Sequence, residues 1–530
     1  MIKYTPANQL TLEGFLHPFN QELSPINRWV KLAAVVPWDL LASVYSDKLD
    51  TRRGRLSIDV RMVIGAIIVK HRLGLDDRGT VAMISENIYL QYFCGLTGFQ
   101  TKEPFHPTVL VDIRKRMGGR SFDSWNVLII EKADSLKPAR AKNIDKDSDG
   151  PNQKGETKNK GKLKIDATVA NQKIVFPTDA GLLNTARKES ERLIDLLYKQ
   201  SGTDKKPRDY RRIARTEYLV FSKKRRKPKK EIRKFKRKQL GYLKRNLSYI
   251  EILLNQIESR PNPEVPQGMF MEVKNSYPRK FPLSKRDQKI YWVIQHLYRQ
   301  QDSMYHGKTH SVKDMIVNIY QPYVRQIPRG KDKAATEFGA KISASEIDGM
   351  SRVEHMSWDR FNESKDLILQ VEAYKVTFGH YPELLLADQI YLNRENRKWL
   401  KVRDIRIVGK PLGRTPKQEL TAYQKKKLKK ERNQRNLIEG KFGQGKNAYG
   451  LGSIKAKRKD KSESWIGAIF FIMNLITLSK IADTYAIFCA LFKNWTASYK
   501  ITRTDLRDTP VFGINHIFNL HYRKYLMKYS

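Results

Sequence analysis

The sequence predicts an α/β protein whose small strand-bearing core is interrupted by a long, basic helical stretch. Three observations predict it. Short strand-like runs at residues 163–170, 337–342, 383–388 and 406–408 alternate with helical patterns. Between about residues 186 and 320 the pattern turns helical and rich in Lys and Arg. The chain of 530 residues carries a formal net charge of +46, which is self-repelling without a polyanion.

The N-terminal region reads as helical. Residues 58–70 form a strongly apolar helix, and residues 81–93 a second one after the Asp76–Asp77–Arg78–Gly79 turn. A third starts after His106–Pro107, where proline suits a first helical turn, and runs to Gly118–Gly119. It carries the basic triplet Arg114, Lys115 and Arg116, which fits either a helix-turn-helix reader of DNA or a helical packing domain with a solvated basic face. Residues 141–161 are polar and nearly free of apolar side chains, so they read as a linker.

The character changes abruptly at residues 163–170, LKIDATVA, which alternate like a half-buried strand that residues 173–176 could continue. The helical stretch that follows holds the runs KKRRK at 223–227 and KRK at 236–238. Leu240, Leu243, Leu247, Ile250, Leu254 and Ile257 then recur at three- and four-residue spacing, a helix packing face. Strand-like sequence returns at 337–342. A helix at about 363–377 ends before Gly379, and residues 383–388, ELLLAD, read as a buried strand closing on an acid.

Charge and composition narrow the partners. Nucleic acid is the commonest polyanion for so basic a chain, with an anionic membrane surface as competitor. The longest apolar stretch, residues 465–478, spans about 14 residues, short of the roughly 18 that a membrane span needs, and carries Asn474. A buried core helix is the expectation, and the opening MIKYTPANQ has no secretory signal pattern. Cys94 and Cys489 lie far apart, which rules out a disulfide framework or a CxxC zinc site. His306 and His310 have the spacing of a metal pair but sit in a basic setting without an acid between them.

Three acids stand out among the 55. Asp166 and Asp388 each end or interrupt an apolar strand, and ligands gather at strand ends in open α/β sheets. Either could instead cap the turn that follows. Glu439 lies in ERNQRNLIEGKFGQGK, where Arg432, Arg435 and Lys446 fall on nearly the same helical face. That sets one carboxylate on a basic stripe. Gly440, Gly443 and Gly445 should each cost about 1 kcal/mol inside a helix. A merely solvated charged helix does not explain them, whereas close backbone approach to a ligand does. Asp179, in PTDAGLL, reads most simply as the cap of a helix beginning near Gly181. Asp404 and Glu431 lack comparable context.

Arg435, Glu439 and Lys446 resemble the R-x3-E-x6-K part of the YREK signature of DDE transposases from bacterial insertion sequences, in the families numbered four and five. The blocks KIDATVANQKIVFPTDAGLLNTAR around Asp166, RGKDKAATEFGAK at 329–341, LLLADQIYLNREN around Asp388 and NLIEGKFGQGKNAYGLGSIKAKR around Glu439 agree with it. The tyrosine position of the signature is Arg432 here, a departure that leaves the role of that tyrosine open, with Tyr449 as one substitute.

The resemblance implies an RNase H-like catalytic core over residues 162–480, with a large basic helical insertion at about 186–320 between the first strand and the rest. A helical N-terminal DNA-binding domain spans 1–140, the linker 141–161 and a C-terminal helical tail 481–530. It implies a transposase that binds insertion-sequence ends, cleaves them and joins the 3′-hydroxyl to target DNA. Asp166, Asp388 and Glu439 would be its catalytic and metal-binding acids. An all-carboxylate set suits two Mg²⁺ or Mn²⁺ ions. Arg432, Arg435, Lys446, Arg114, Lys115, Arg116, Arg329 and Lys331 would contact DNA, and so would the basic run 223–245. The expected partners are double-stranded element ends and target, with a homodimer on DNA, no membrane and no small-molecule substrate, in a bacterial cytoplasm at the nucleoid. The rival readings are a non-catalytic DNA-binding protein derived from a transposase and an RNA-binding protein.

Overall fold

The computed structural model describes residues 22–47, 49, 57–136, 159–258, 282–328, 336–409, 412 and 421–498, with the side chains of 119–121 and 488–498 excepted. Six helices come first: α1 (Arg28–Val35), α2 (Trp38–Ser46), α3 (Val60–Leu73), α4 (Asp77–Glu86), α5 (Ile88–Phe93) and α6 (Val109–Ser135). The Asp59 carboxylate caps α3 by accepting from the Arg61 amide, and Gly74 ends it in the left-handed region. The second helix expected at residues 81–93 is two helices. Asn87 leaves helical geometry and its side chain accepts from the amides of Tyr89 and Leu90, which starts α5. The third does not stop at Gly118. That glycine takes φ 52° and ψ −179°, a kink after which α6 resumes as far as Ser135.

The mixed α/β centre is one six-stranded sheet: β1 (Lys162–Asn171), β2 (Arg325–Pro328), β3 (Thr336–Ile347), β4 (Met350–Ser357), β5 (Leu384–Leu386) and β6 (Arg406–Ile407). β3 is antiparallel to β1 on one edge and to β2 and β4, end to end, on the other. β5 joins β1 in parallel, and β6 joins β5 in parallel. Gly339 shows how closely β1 and β3 approach: a Cβ there would lie 1.9 Å from the Ala170 carbonyl oxygen. β1 ends at Asn171, and residues 173–176 do not extend it.

Between β1 and β3 run α7 (Asp179–Ser201), α8 (Arg211–Lys223), α9 (Lys229–Glu258) and α10 (Lys285–Gly307). They share a core of their own, to which α9 contributes Leu240, Leu243, Ile250 and Leu254. Residues 222–230, including all of the first basic run, are exposed. The cap of α7 is Thr178, whose hydroxyl accepts from Gly181 N at 3.1 Å. Asp179 is the first helical residue, and its carboxylate instead binds Lys236 and Gln301.

The rest is α11 (Leu367–Phe378), α12 (Arg394–Val402), α13 (Ala422–Ala448) and α14 (Lys459–Ser498), with short 3₁₀ turns at Glu363–Asp366 and Gln389–Tyr391. Strand alternation divides them between two faces. Leu163, Ile165, Leu385 and Ala387 pack against α11 and α12. Ala170, Ala340, Ile342 and Ala344 point the other way, into a core shared with Ile438 and Phe442 of α13, with α14 and with the N-terminal helices. Leu384 and Leu386 face Leu428 of α13.

By length and composition Lys459–Ile487 is apolar enough to cross a membrane. Its apolar run is longer than residues 465–478 because Ile481, Ala482, Tyr485 and Ile487 follow the polar Ser479 and Lys480. Ile466, Phe470, Phe471, Ile472 and Leu475 are nevertheless wholly buried against α6 and the sheet, as a core helix requires.

Candidate active site

The register of the parallel pair decides where the first two acids lie. Lys162 pairs with Leu384, Leu163 with Leu385 and Lys164 with Leu386. Two residues beyond that last pair come Asp166, still within β1, and Asp388, which lies past the end of β5 as the cap of the 3₁₀ turn Gln389–Tyr391. Alternation puts Asp166 on the face that α13 covers, alongside Lys164 and Leu386. α13 carries Glu439, which the shared contact with Arg435 brings toward Asp166.

Asp166 is largely buried and accepts a hydrogen bond from the Ala167 amide at 2.8 Å. Burial pushes its carboxyl up to about 6; the Ala167 bond and the Arg435 guanidinium oppose the rise, and Glu439 and Glu363 add to it. Arg435 donates to Glu439 Oε1 at 2.8 Å, one helical turn on, while its other terminal nitrogen lies 3.8 Å from Asp166 Oδ2. Asp388 is exposed, and its side chain accepts from the Gln389 amide at 2.7 Å. Among the described residues no three or more His, Cys, Asp or Glu side chains are gathered closely enough to hold a metal ion. His306, one of the pair noted in the sequence, lies 3.6 Å from Asp302.

The basic residues divide. Lys446 donates to the buried Glu337 of β3 at 3.2 Å, so this cation is tied to the end of β3 seven residues from Ala344, the partner of Asp166. Arg432 is exposed on α13. Arg114 is turned inward and makes a two-pronged contact with Asp77 at 2.7 and 2.6 Å. Lys115 pairs with Asp112 at 3.0 Å, and Arg116 is exposed. Arg329 and Lys331 lie outside the described residues. Tyr449 is buried, and its hydroxyl accepts from Arg72 of α3 at 3.1 Å.

Two features escaped the sequence reading. Glu431, set aside for want of context, accepts both terminal nitrogens of Arg406 at 2.8 and 3.0 Å and so clamps α13 to β6 one turn before Arg435. Its place four residues before Arg435 and eight before Glu439 was the available signal. Glu337 had none, because its contact with Lys446 crosses the fold. The three glycines also separate. A Cβ on Gly445 would press Leu451 and Met473 at 3.2 Å, whereas Gly440 and Gly443 face open space. Helix packing therefore explains Gly445.

Comparison with known proteins bears on this arrangement at both ends of the chain. Residues 385–476, which contain Asp388 and Glu439, match the family model described as a transposase DDE domain. Residues 17–116 match a second model, described as a transposase domain (DUF772). The two matches together support a DDE transposase of an insertion sequence. A similar protein is the uncharacterised protein ORF8 in the nfe locus of Rhizobium meliloti, 26% identical over 160 residues, which cover 30% of this chain and 69% of that one. No solved structure matches. DDE transposases generally use divalent metal ions, and both matched segments of this chain contribute to the core on the α13 side of the sheet.

Proposed function

We propose that this transposase binds the ends of its insertion sequence, cleaves them by metal-dependent hydrolysis and joins the freed 3′-hydroxyl to target DNA, with Asp166, Asp388 and Glu439 as its catalytic acids. What supports the reading is the parallel register of β1 and β5, which leads the chain to Asp166 and Asp388 at the same end of two adjacent strands, with the Arg435–Glu439 pair of α13 beside Asp166. The strand order, with an antiparallel β1–β3–β4 meander and β5 and β6 parallel to β1, supports an RNase H-like core. In that reading α7 to α10 form its helical insertion, residues 1–140 engage DNA and two copies meet on the paired ends.

The donor types, rather than their present spacing, suit a hard divalent cation. The donors are carboxylates alone, and a guanidinium already lies between Asp166 and Glu439 as a stand-in cation. Bound there, two Mg²⁺ ions would help to deprotonate the attacking hydroxyl and stabilise the departing one. The chain itself supplies the rest. Burial on β1 fixes the direction of Asp166, and the Glu431–Arg406 clamp holds α13 over the strands. Lys446 and Arg435 offer donors to phosphates, while the exposed residues 222–230 extend a basic surface for the DNA backbone.

The test uses the purified chain with DNA taken from both flanks of its reading frame. With Mg²⁺, nicking at matched inverted repeats and joining of the 3′ ends to a second duplex are expected. Tight end binding with no nicking under any divalent ion would favour the non-catalytic DNA-binding reading. Preference for RNA over duplex DNA would contradict both.

A further inference from the structure

We propose that Arg435 is an exchangeable counter-cation: it balances Asp166 and Glu439 when no metal is bound, and divalent cation binding releases it to a DNA phosphate. The inference rests on the assignment of those two acids as metal ligands.

The charges around α13 single it out. Lys164 is taken by the buried Glu346 at 2.6 Å, Arg406 by Glu431 at 2.8 Å and Lys446 by Glu337 at 3.2 Å. Lys441 donates to the Thr477 hydroxyl at 3.0 Å. Each is committed to a partner outside the pair of acids. Arg435 alone among these cations reaches both acids, and it holds them unequally, at 2.8 Å from Glu439 and 3.8 Å from Asp166. The longer contact exceeds a hydrogen bond and is the easier to give up. A divalent ion and a guanidinium cannot share the Asp166–Glu439 gap without strong like-charge repulsion. Entry of the ion therefore expels the guanidinium, and its planar fork, still anchored to α13, becomes free for a phosphate.

Two consequences separate this role from a fixed phosphate contact or a helix-stabilising pair. In the absence of DNA, Arg435 competes with metal, so removing it should tighten metal binding. With DNA present, metal should strengthen end binding through the released fork, and that coupling should vanish when Arg435 is replaced.

The experiment measures Mn²⁺ binding to the full, DNA-free chain by paramagnetic resonance of the free ion. Arg435→Gln is expected to bind Mn²⁺ roughly five- to tenfold more tightly than the parent, with Arg435→Lys in between. Unchanged or weaker binding in both variants would overturn the proposal, as would Mn²⁺ binding that none of the three proteins shows. Asp166→Asn in the parent and in the Arg435→Gln background isolates the underlying assignment: Mn²⁺ binding that survives in both means that the acids are not the ligands. Helical circular dichroism of each variant establishes that α13 remains folded, and Arg435→Lys, which keeps the charge, serves if Arg435→Gln does not fold.

Discussion

Lys164 of β1 pairs with Leu386 of β5 in parallel register, and Asp166 and Asp388 each follow two residues later, Asp388 just beyond the end of its strand. In the proposed site each of these acids is sensitive to what holds β1 and β5 in register.

The Lys164–Glu346 pair is one such support. It is buried on both sides, at 6% and 1% side-chain exposure, and joins β1 to β3 immediately before Asp166. Lys164→Ala strands a buried carboxylate and should cost about 3–5 kcal/mol in urea unfolding. Lys164→Met with Glu346→Leu should recover most of that loss, because removing both charges removes the uncompensated one. A single variant as stable as the parent would contradict the prediction.

Acid should act on Asp166 in a recognisable direction. Its carboxyl titrates near 6 in the fold against an ordinary 3.8, so between those pH values the folded chain holds a proton that the unfolded chain has released. Stability from this group is therefore greatest at low pH and falls as pH rises toward 6. The cost is roughly 1.4 kcal/mol per unit of displacement. Thermal midpoints of the metal-free parent and Asp166→Asn should diverge across that window, with the parent losing ground as pH increases. Divalent metal needs the ionised form, so Mn²⁺ binding should weaken as pH drops below about 6.

The glycines of α13 should divide by consequence. Gly440→Ala and Gly443→Ala meet open space and should stabilise the helix by about 0.5–1 kcal/mol. If that space is where DNA approaches, the same changes lower cleavage while raising the melting temperature. Gly445→Ala presses Leu451 and Met473 and should gain nothing in stability.

Arg114 should behave as a structural residue. Its two bonds to Asp77, with Lys70 also 2.8 Å from that carboxylate, lock α3, α4 and α6 together. Arg114→Ala should cost about 1–3 kcal/mol of stability, while Arg116→Ala should weaken DNA binding with little change in melting. Equal losses of DNA affinity with intact stability in both would contradict this division.

These divisions show what was readable in the chain and what was not. The strand that carries Asp166 and the one that leads to Asp388 were legible because apolar patterning is a local signal, although the second ends at Leu386 and leaves Asp388 to cap the next turn. The helix that carries Glu439 was legible because its charges repeat every three to four residues. Their juxtaposition was not, since cross-strand register depends on partners far apart in sequence. The same limit hid Glu337 beneath Lys446 and the inward turn of Arg114 toward Asp77. Local competition explains the smaller errors. Thr178 outranks Asp179 as a cap because its extended backbone directs the hydroxyl at Gly181 N, and Asn87 breaks an otherwise continuous apolar pattern by capping α5.

The central claim concerns three carboxylates, and one measurement tests it most directly: Mg²⁺-dependent nicking of flanking end DNA by the parent and by Asp166→Asn, Asp388→Asn and Glu439→Gln, with end binding followed on the same samples. The account predicts that each variant binds ends as the parent does and nicks none. Substantial nicking by any one of the three would contradict it.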